Sequence, residues 1–309
     1  MSQHFSEKAM QRAPNAIELP RTNNPAFDRT MQDITDLNLT DNLMELDVIG
    51  YTRLRGVLNE DQVNRAKDAI ARVMEEKTGN AVDIENESGS HWEGMSLAHY
   101  LLFADSVFEE IVQSSRPLAL IHYLLGRRAV LSSMTCHFKA QGGRPLALHS
   151  DNGNGMPSPF SMISQVANVN YALTEYSKER GALAMVPGSH RLCRSPREDE
   201  MGLGAKNLNP QAVSIDLDPG DCVVWHGNTW HGSFRRNQPG IRINLATYFC
   251  RQYIVTQEKF GEHVPEEFLR RHANNPQMLT LLNQQQSYGW DASGPDWSKF
   301  GSQPRTQFD

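Results

Sequence analysis

The apolar positions of this chain change their period twice. Up to about residue 40 they hold no sustained rhythm, so residues 1–40 read as a polar N-terminal arm. "VIGYTRLRGV", residues 48–57, then reads as a strand carrying a glycine. Behind it "NEDQVNRAKDAIARVMEEK" places Val63, Ala66, Ala69, Ile70 and Val73 at helical spacing, with Asn59 as its cap and acidic residues in the first turn. A second helix is expected over "SVFEEIVQSSRPLALIHYLLG", residues 106–126, kinked near Pro117.

From residue 128 the period shortens. "AVLSSMTCHFKA", "FSMISQVANVNYALTE", "GALAMVPGSH", "AVSIDLDPGDCVVWHGNTWHGSF" and "IRINLATYFCRQYIV" are rich in β-branched and aromatic residues. Gly, Pro, Asn and Asp clusters separate them, including "DPGD" at 218–221. Many short strands with such turns predict an antiparallel sandwich or jelly roll. After about residue 256 the pattern returns to helix. The expected fold class is mainly β with a helical layer: N-terminal helices, a β core over about 128–255 and a C-terminal helical cover. Residues 41–309 are read as a single domain.

Composition narrows the partners. The chain has 309 residues, 39% hydrophobic and 21% charged, typical of a folded protein. A net charge of −6 argues against nucleic acid, which would call for a basic excess. No stretch approaches the ~20 apolar residues of a membrane span, and "MSQHFSEKAMQRAPNAIELP" does not read as a secretory signal. Cys136, Cys193, Cys222 and Cys250 are scattered, without CxxC pairing; they point to reduced thiols and a cytoplasmic setting, and exclude a Cys-rich zinc site. The polar arm and tail leave room for a homodimer without requiring one.

The candidate chemistry begins at "HSDNGNG", residues 149–155. In an extended strand, i and i+2 face the same way, so His149 and Asp151 converge. They would supply two of the three ligands of a 2-His-1-carboxylate site, although a lone H-x-D is also an ordinary polar turn. "VVWHGNTWHGSF" offers His226 and His231 as the third. His231 is favoured because Arg242 follows 11 residues later on the next predicted strand, and a guanidinium fork suits a carboxylate. His226 is read as packing behind the site and His190 as part of a turn. His137 and Lys139 lie on a strand leading to the site; Lys139 could reach an anionic substrate, with a place in solvent the favoured reading. Met134 and, in the loop 91–100, Trp92 are weaker candidates for substrate contact; ordinary core filling is the competing reading of Met134.

Taken together, "DVIGYTRLRGVLNEDQV", "HSD", "ALTEYSKERGALAMVPGSHR", the "PGD" turn and "WHGSFRRNQPGIRINL" resemble the phytanoyl-CoA dioxygenase family of Fe(II)/2-oxoglutarate oxygenases, over roughly residues 43–255. The tail "YGWDASGPD" is similar to the subgroup acting on natural products. The resemblance implies a double-stranded β-helix, cupin-like, with metal between its sheets and His149, Asp151 and His231 as iron ligands. It implies that Arg242 and Ser233 hold the distal carboxylate of 2-oxoglutarate and that Asn170 lies against it. It also implies use of O2 and release of succinate and CO2 as a small, mostly apolar metabolite is oxidised; retention of Asp151 favours hydroxylation over halogenation. Leu146, Leu183 and Asn244 depart from the polar or hydroxyl residues expected near the cosubstrate. The two leucines keep open a metalloenzyme of this fold that does not use 2-oxoglutarate; a non-catalytic binding or sensor relative is a further alternative, against which the intact triad argues.

Overall fold

The computed structural model describes residues 24–87, 96–284, 290–291, 293–298 and 306–309. Trp92 and residues 88–95, with the start of the tail motif at 288–289, lie outside them.

The N-terminal layer is helical. Helix α1, Pro25–Asp36, starts where the Asn24 side chain accepts the N–H groups of Ala26 and Phe27. Over the described part of the expected arm, from residue 24 on, this corrects the reading: Ala26, Thr30 and Ile34 form a buried stripe against the helix α5 described below. The stripe is one residue wide and holds a threonine, so it is too thin to register as a hydrophobic period. Helix α2, Thr40–Ile49, ends at Gly50 in the left-handed region (φ 89°), and strand β1 follows only at Tyr51–Leu54. Helix α3, Glu60–Thr78, carries an Asn59/Gln62 capping box and buries Val63, Ala66, Ala69, Ile70 and Met74. The expected kinked helix is two helices, α4 (Ser106–Val112) and α5 (Ser115–Leu125). The break precedes Pro117, which sits in the first turn of α5 where a missing N–H costs nothing.

The other strands of the core are β2 (Ser96–Ala98), β3 (Val130–Lys139), β4 (Leu146–His149), β5 (Val166–Ala172), β6 (Leu183–Met185), β7 (Val213–Ile215), β8 (Cys222–His226), β9 (His231–Ser233) and β10 (Arg242–Cys250). They form a six-stranded sheet, β1-β8-β5-β10-β3-β2, and a four-stranded sheet, β4-β9-β6-β7, with antiparallel pairing throughout. This is a double-stranded β-helix whose sheets do not close into a barrel. Leu118 and Ile121 of the helical layer share one apolar core with Met134, Cys136, Phe138, Tyr171 and Leu245 on the outer face of the large sheet. Short helices α6 (Glu266–Arg271) and α7 (Pro276–Leu281) complete that cover through Phe268 and Met278.

The inner face of the large sheet is polar. Along β3, Ser133, Thr135 and His137 face a cavity, while Met134, Cys136 and Phe138 face the core. Met134 is 0% exposed and does not line the cavity, so its candidacy as a substrate contact is corrected: strand alternation turns it toward the helices. Residues 257–258 run across the end of β3. The N–H of Glu258 donates to the Ser132 carbonyl, and its carboxylate accepts the N–H groups of Tyr100 and Met134. Gln257 is thereby set on the cavity wall, accepting from the Ser133 hydroxyl at 2.9 Å.

Candidate metal centre

Strand β4 ends at His149, opposite His231, the first residue of β9. Gly232 permits this approach, because a Cβ there would lie 2.3 Å from the Leu146 carbonyl oxygen. With Gly232 turned toward β4's backbone, His231 and Ser233 share the inward face. Ser150 donates to the Gly227 carbonyl at 3.0 Å, and the chain turns so that Asp151 enters the same space. One potential ligand atom from each of His149, Asp151 and His231 lies within 4.8 Å of the others.

Hydrogen bonds settle which atoms are free. Nδ1 of His149 stands 3.0 Å from the Ala147 carbonyl, and Nδ1 of His231 stands 3.0 Å from the Thr229 carbonyl. A carbonyl only accepts, so each Nδ1 carries a proton, which leaves Nε2 as the ring nitrogen available to a metal. Burial pushes His231 down to about 4, outweighing the opposing pull of Asp151, so that ring is neutral near pH 7. Asp151 is held from one side: its Oδ2 accepts from Asn168 Nδ2 at 2.8 Å and Trp225 Nε1 at 3.1 Å. Its Oδ1 points at His231 Nε2, 3.6 Å away. Two imidazole nitrogens and one carboxylate oxygen, all aimed inward, are the donor set that suits iron(II).

Next to these groups Arg242 enters from β10, fully buried. Its guanidinium lies over the Tyr176 ring at 5.3 Å and donates through Nη1 to the Gly181 carbonyl at 2.8 Å, while Nε finds no acceptor. Burial lowers its affinity for a proton, yet a guanidinium remains charged. Ser233, Asn170, Asn244, Leu146 and Leu183 line the same cavity of about 160 Å³. Asn170 Oδ1 and Asn244 Oδ1 lack partners there. His226 lies elsewhere: its Nδ1 accepts the Asn228 N–H, Nε2 is 3.2 Å from the Met162 carbonyl, and its ring packs on His190.

Sequence reasoning missed Asn168, Trp225, Tyr176 and the burial of Lys139, which is 1% exposed instead of solvated. A signal for some of them exists. Asn168 and Asn170 alternate inside an otherwise apolar strand, and Ser133, Thr135, His137 and Lys139 alternate on another. Matching polar alternation on two strands marks a polar-lined cavity between sheets.

The family model for phytanoyl-CoA dioxygenase (PhyH) matches residues 46–244. Among curated proteins, the chain is 26% identical over 288 residues to "Dioxygenase af480" of Aspergillus fumigatus, covering 90% of this chain and 87% of that one. It is 24% identical to "Multifunctional dioxygenase ausE" of Penicillium brasilianum, covering 74% and 78%. Among solved structures, HygX of Streptomyces hygroscopicus, with nickel and 2-oxoglutarate bound, aligns with a TM-score of 0.57 at 16% identity, covering 70% of this chain and 88% of that one. The epimerase SnoN from nogalamycin biosynthesis, in complex with Fe3+ and alpha ketoglutarate, aligns at 0.54 and 22%, covering 75% and 91%. The fold is therefore shared with those enzymes, and the chain belongs to the phytanoyl-CoA dioxygenase family of iron- and 2-oxoglutarate-dependent dioxygenases.

Proposed function

We propose that His149, Asp151 and His231 hold iron(II), that Arg242 and Ser233 receive the distal carboxylate of 2-oxoglutarate, and that the reaction hydroxylates an unactivated C–H bond of a small, mostly apolar metabolite. The observation that carries this is the convergence of two Nε2 atoms and Asp151 Oδ1 beside a buried, incompletely bonded arginine. Iron with the 2-oxo acid supplies the oxidising chemistry for such a bond, using O2 and releasing succinate and CO2.

The protein's share is orientation and exclusion of water. The Ala147 and Thr229 carbonyls fix the two rings, and Asn168 with Trp225 occupies Asp151 Oδ2, so that Oδ1 would be the oxygen to hold the metal. Asn170 and Asn244 offer neutral amides to the cosubstrate from β5 and β10. Beside this space lies a second cavity of about 330 Å³ that shares Asp151, Tyr248 and Gln257 with the first. Met156, Val166, Ile254 and Val255 make it largely apolar, and Ser132, Asn152 and Gln257 supply neutral hydrogen-bonding groups. Apart from Asp151, no charged side chain lines it among the described residues, which supports an uncharged substrate. SnoN belongs to nogalamycin biosynthesis and HygX binds hygromycin B, which supports a role in natural-product biosynthesis.

We read 41–309 as one dioxygenase domain, to which α1 is docked. Among the described residues no helix is long and apolar enough to cross a membrane. The cysteines are unpaired, which supports a reducing compartment such as the cytoplasm.

The test is anaerobic titration of Fe(II)-loaded protein with 2-oxoglutarate, followed by the weak visible charge-transfer band. The band is expected in the wild type, absent in His149→Ala and strongly weakened in Arg242→Ala. Metal binding without any band would favour a metalloenzyme that does not use 2-oxoglutarate, the alternative that apolar Leu146 and Leu183 on the cavity wall keep in view.

A further inference from the structure

A buried lysine stands behind the space assigned to the distal carboxylate, and the proposed function does not use it. Lys139 ends β3 and continues the inward series of Ser133, Thr135 and His137. Its stem passes between Gly143 and Gly181, where added Cβ atoms would lie 2.8 Å from Lys139 Cγ and 3.0 Å from Cδ. Nζ stands 2.5 Å from Ser233 Oγ and 2.8 Å from the Phe234 carbonyl. An ammonium has three hydrogens and accepts nothing. A charged Lys139 therefore makes Ser233 Oγ its acceptor, and the serine's own hydrogen is left to point away, into the cavity that Ser233 lines with Arg242.

The charged groups nearest to it are cations. Arg242 lies opposite Lys139 in the β3–β10 register and Arg236 packs beside Gly181, while His137, two residues along β3, is pushed down to about 3 by burial and is neutral. Among the described residues no carboxylate lies within ion-pair distance of Lys139 or Arg242. Neighbouring buried cations without a counter-ion are costly unless an anion enters between them.

We propose that Lys139 is a positioning residue for the dicarboxylate, holding Ser233 as a donor into the cavity and adding a second buried positive charge behind the carboxylate that Arg242 receives. This rests on the reading of Arg242 given above. The inference also has a proton balance. Burial, and then Arg242, push Lys139 down to about 6, so much of it is neutral at pH 7.5 before binding. An arriving carboxylate favours the ammonium, and the proton comes from solvent. Between the ligand-free value and the higher bound one, binding takes up as much as one proton. Affinity therefore weakens as pH rises, approaching tenfold per pH unit.

The experiment is calorimetric titration of 2-oxoglutarate into the full, Mn(II)-loaded chain at pH 7.5, in phosphate and in Tris, whose ionisation heats differ. Manganese avoids turnover. The wild type is expected to take up a large fraction of a proton. Lys139→Met is expected to bind about 10- to 100-fold more weakly, with no uptake, and with unchanged affinity for Mn(II) and for 2-oxobutyrate, which lacks the distal carboxylate. Wild-type-like binding by Lys139→Met overturns the proposal. So does the absence of proton uptake by the wild type between pH 6.5 and 8, a measurement that stands even if the variant does not fold. If Arg242→Ala weakens binding and Lys139→Met does not, only this inference falls. If Arg242→Ala binds normally, or the wild type does not bind at all, the reading of the cosubstrate site falls with it.

Discussion

Asp151 uses its two oxygens differently, and that division belongs to the residue scale. Oδ2 is occupied by Asn168 and Trp225, which leaves Oδ1 for a metal. Trp225→Phe keeps an aromatic side chain, though a smaller one, and removes the N–H, so the carboxylate gains freedom to rotate. Mn(II) affinity is expected to fall about tenfold, the lower end for loss of a group that orients a ligand. Calorimetry on the folded variant checks it; undiminished affinity would mean that Asn168 alone suffices. At this scale the H-x-D pair was legible, because strand geometry makes i and i+2 converge. Trp225 was not, since its partner lies 74 residues away and only register brings them together.

At the scale of elements, the site depends on how closely β4 and β9 approach. Gly232→Ala would drive a methyl group against the Leu146 carbonyl and part the two strands. The expected result is a loss of about 1–3 kcal/mol of stability together with weaker metal binding, since His149 and His231 sit on opposite sides of the parted seam. Gly261→Ala is the control: a Cβ there meets nothing within 4 Å, and unfolding should be little changed. Thermal unfolding with a parallel Mn(II) titration distinguishes them. Strand alternation also explains a misplaced expectation. Met134 and Thr135 are neighbours in sequence but face the core and the cavity respectively, and the string of letters alone does not say which parity faces in.

Over the whole molecule, the proposed assignment spreads the two ligands differently over the sheets. The metal would be held by the small sheet and its turn alone, through His149, Asp151 and His231, whereas 2-oxoglutarate would bridge the sheets, because Ser233 comes from the small one and Arg242 from the large one. Each ligand at about 100 times its Kd should add about 2.7 kcal/mol, a rise of several degrees in Tm for a chain of this size. Arg242→Ala is expected to keep the increment from Mn(II) and lose that from 2-oxoglutarate. A cosubstrate increment that survives in this variant would place the carboxylate elsewhere. Helix α1 and the C-terminal residues add a further clasp, with Phe308 packing at 4.7 Å from Phe27 of α1. Nothing in the composition of either segment announces that contact.

The sequence by itself determined the β core with its helical cover, and it offered the H-x-D pair, two distal histidines and the arginine after them, among which the family resemblance chose. The core follows from local periodicity, and the candidates from the short list of side chains able to hold iron and a carboxylate. Tertiary structure alone decided which oxygen of Asp151 is free, which ring nitrogen carries the proton, and which face of β3 meets the cavity. It also decided that Lys139 is buried behind Ser233 instead of solvated. Those outcomes depend on contacts between residues far apart in the chain, and a lysine's place in a sequence says nothing about the glycines that will close around its stem.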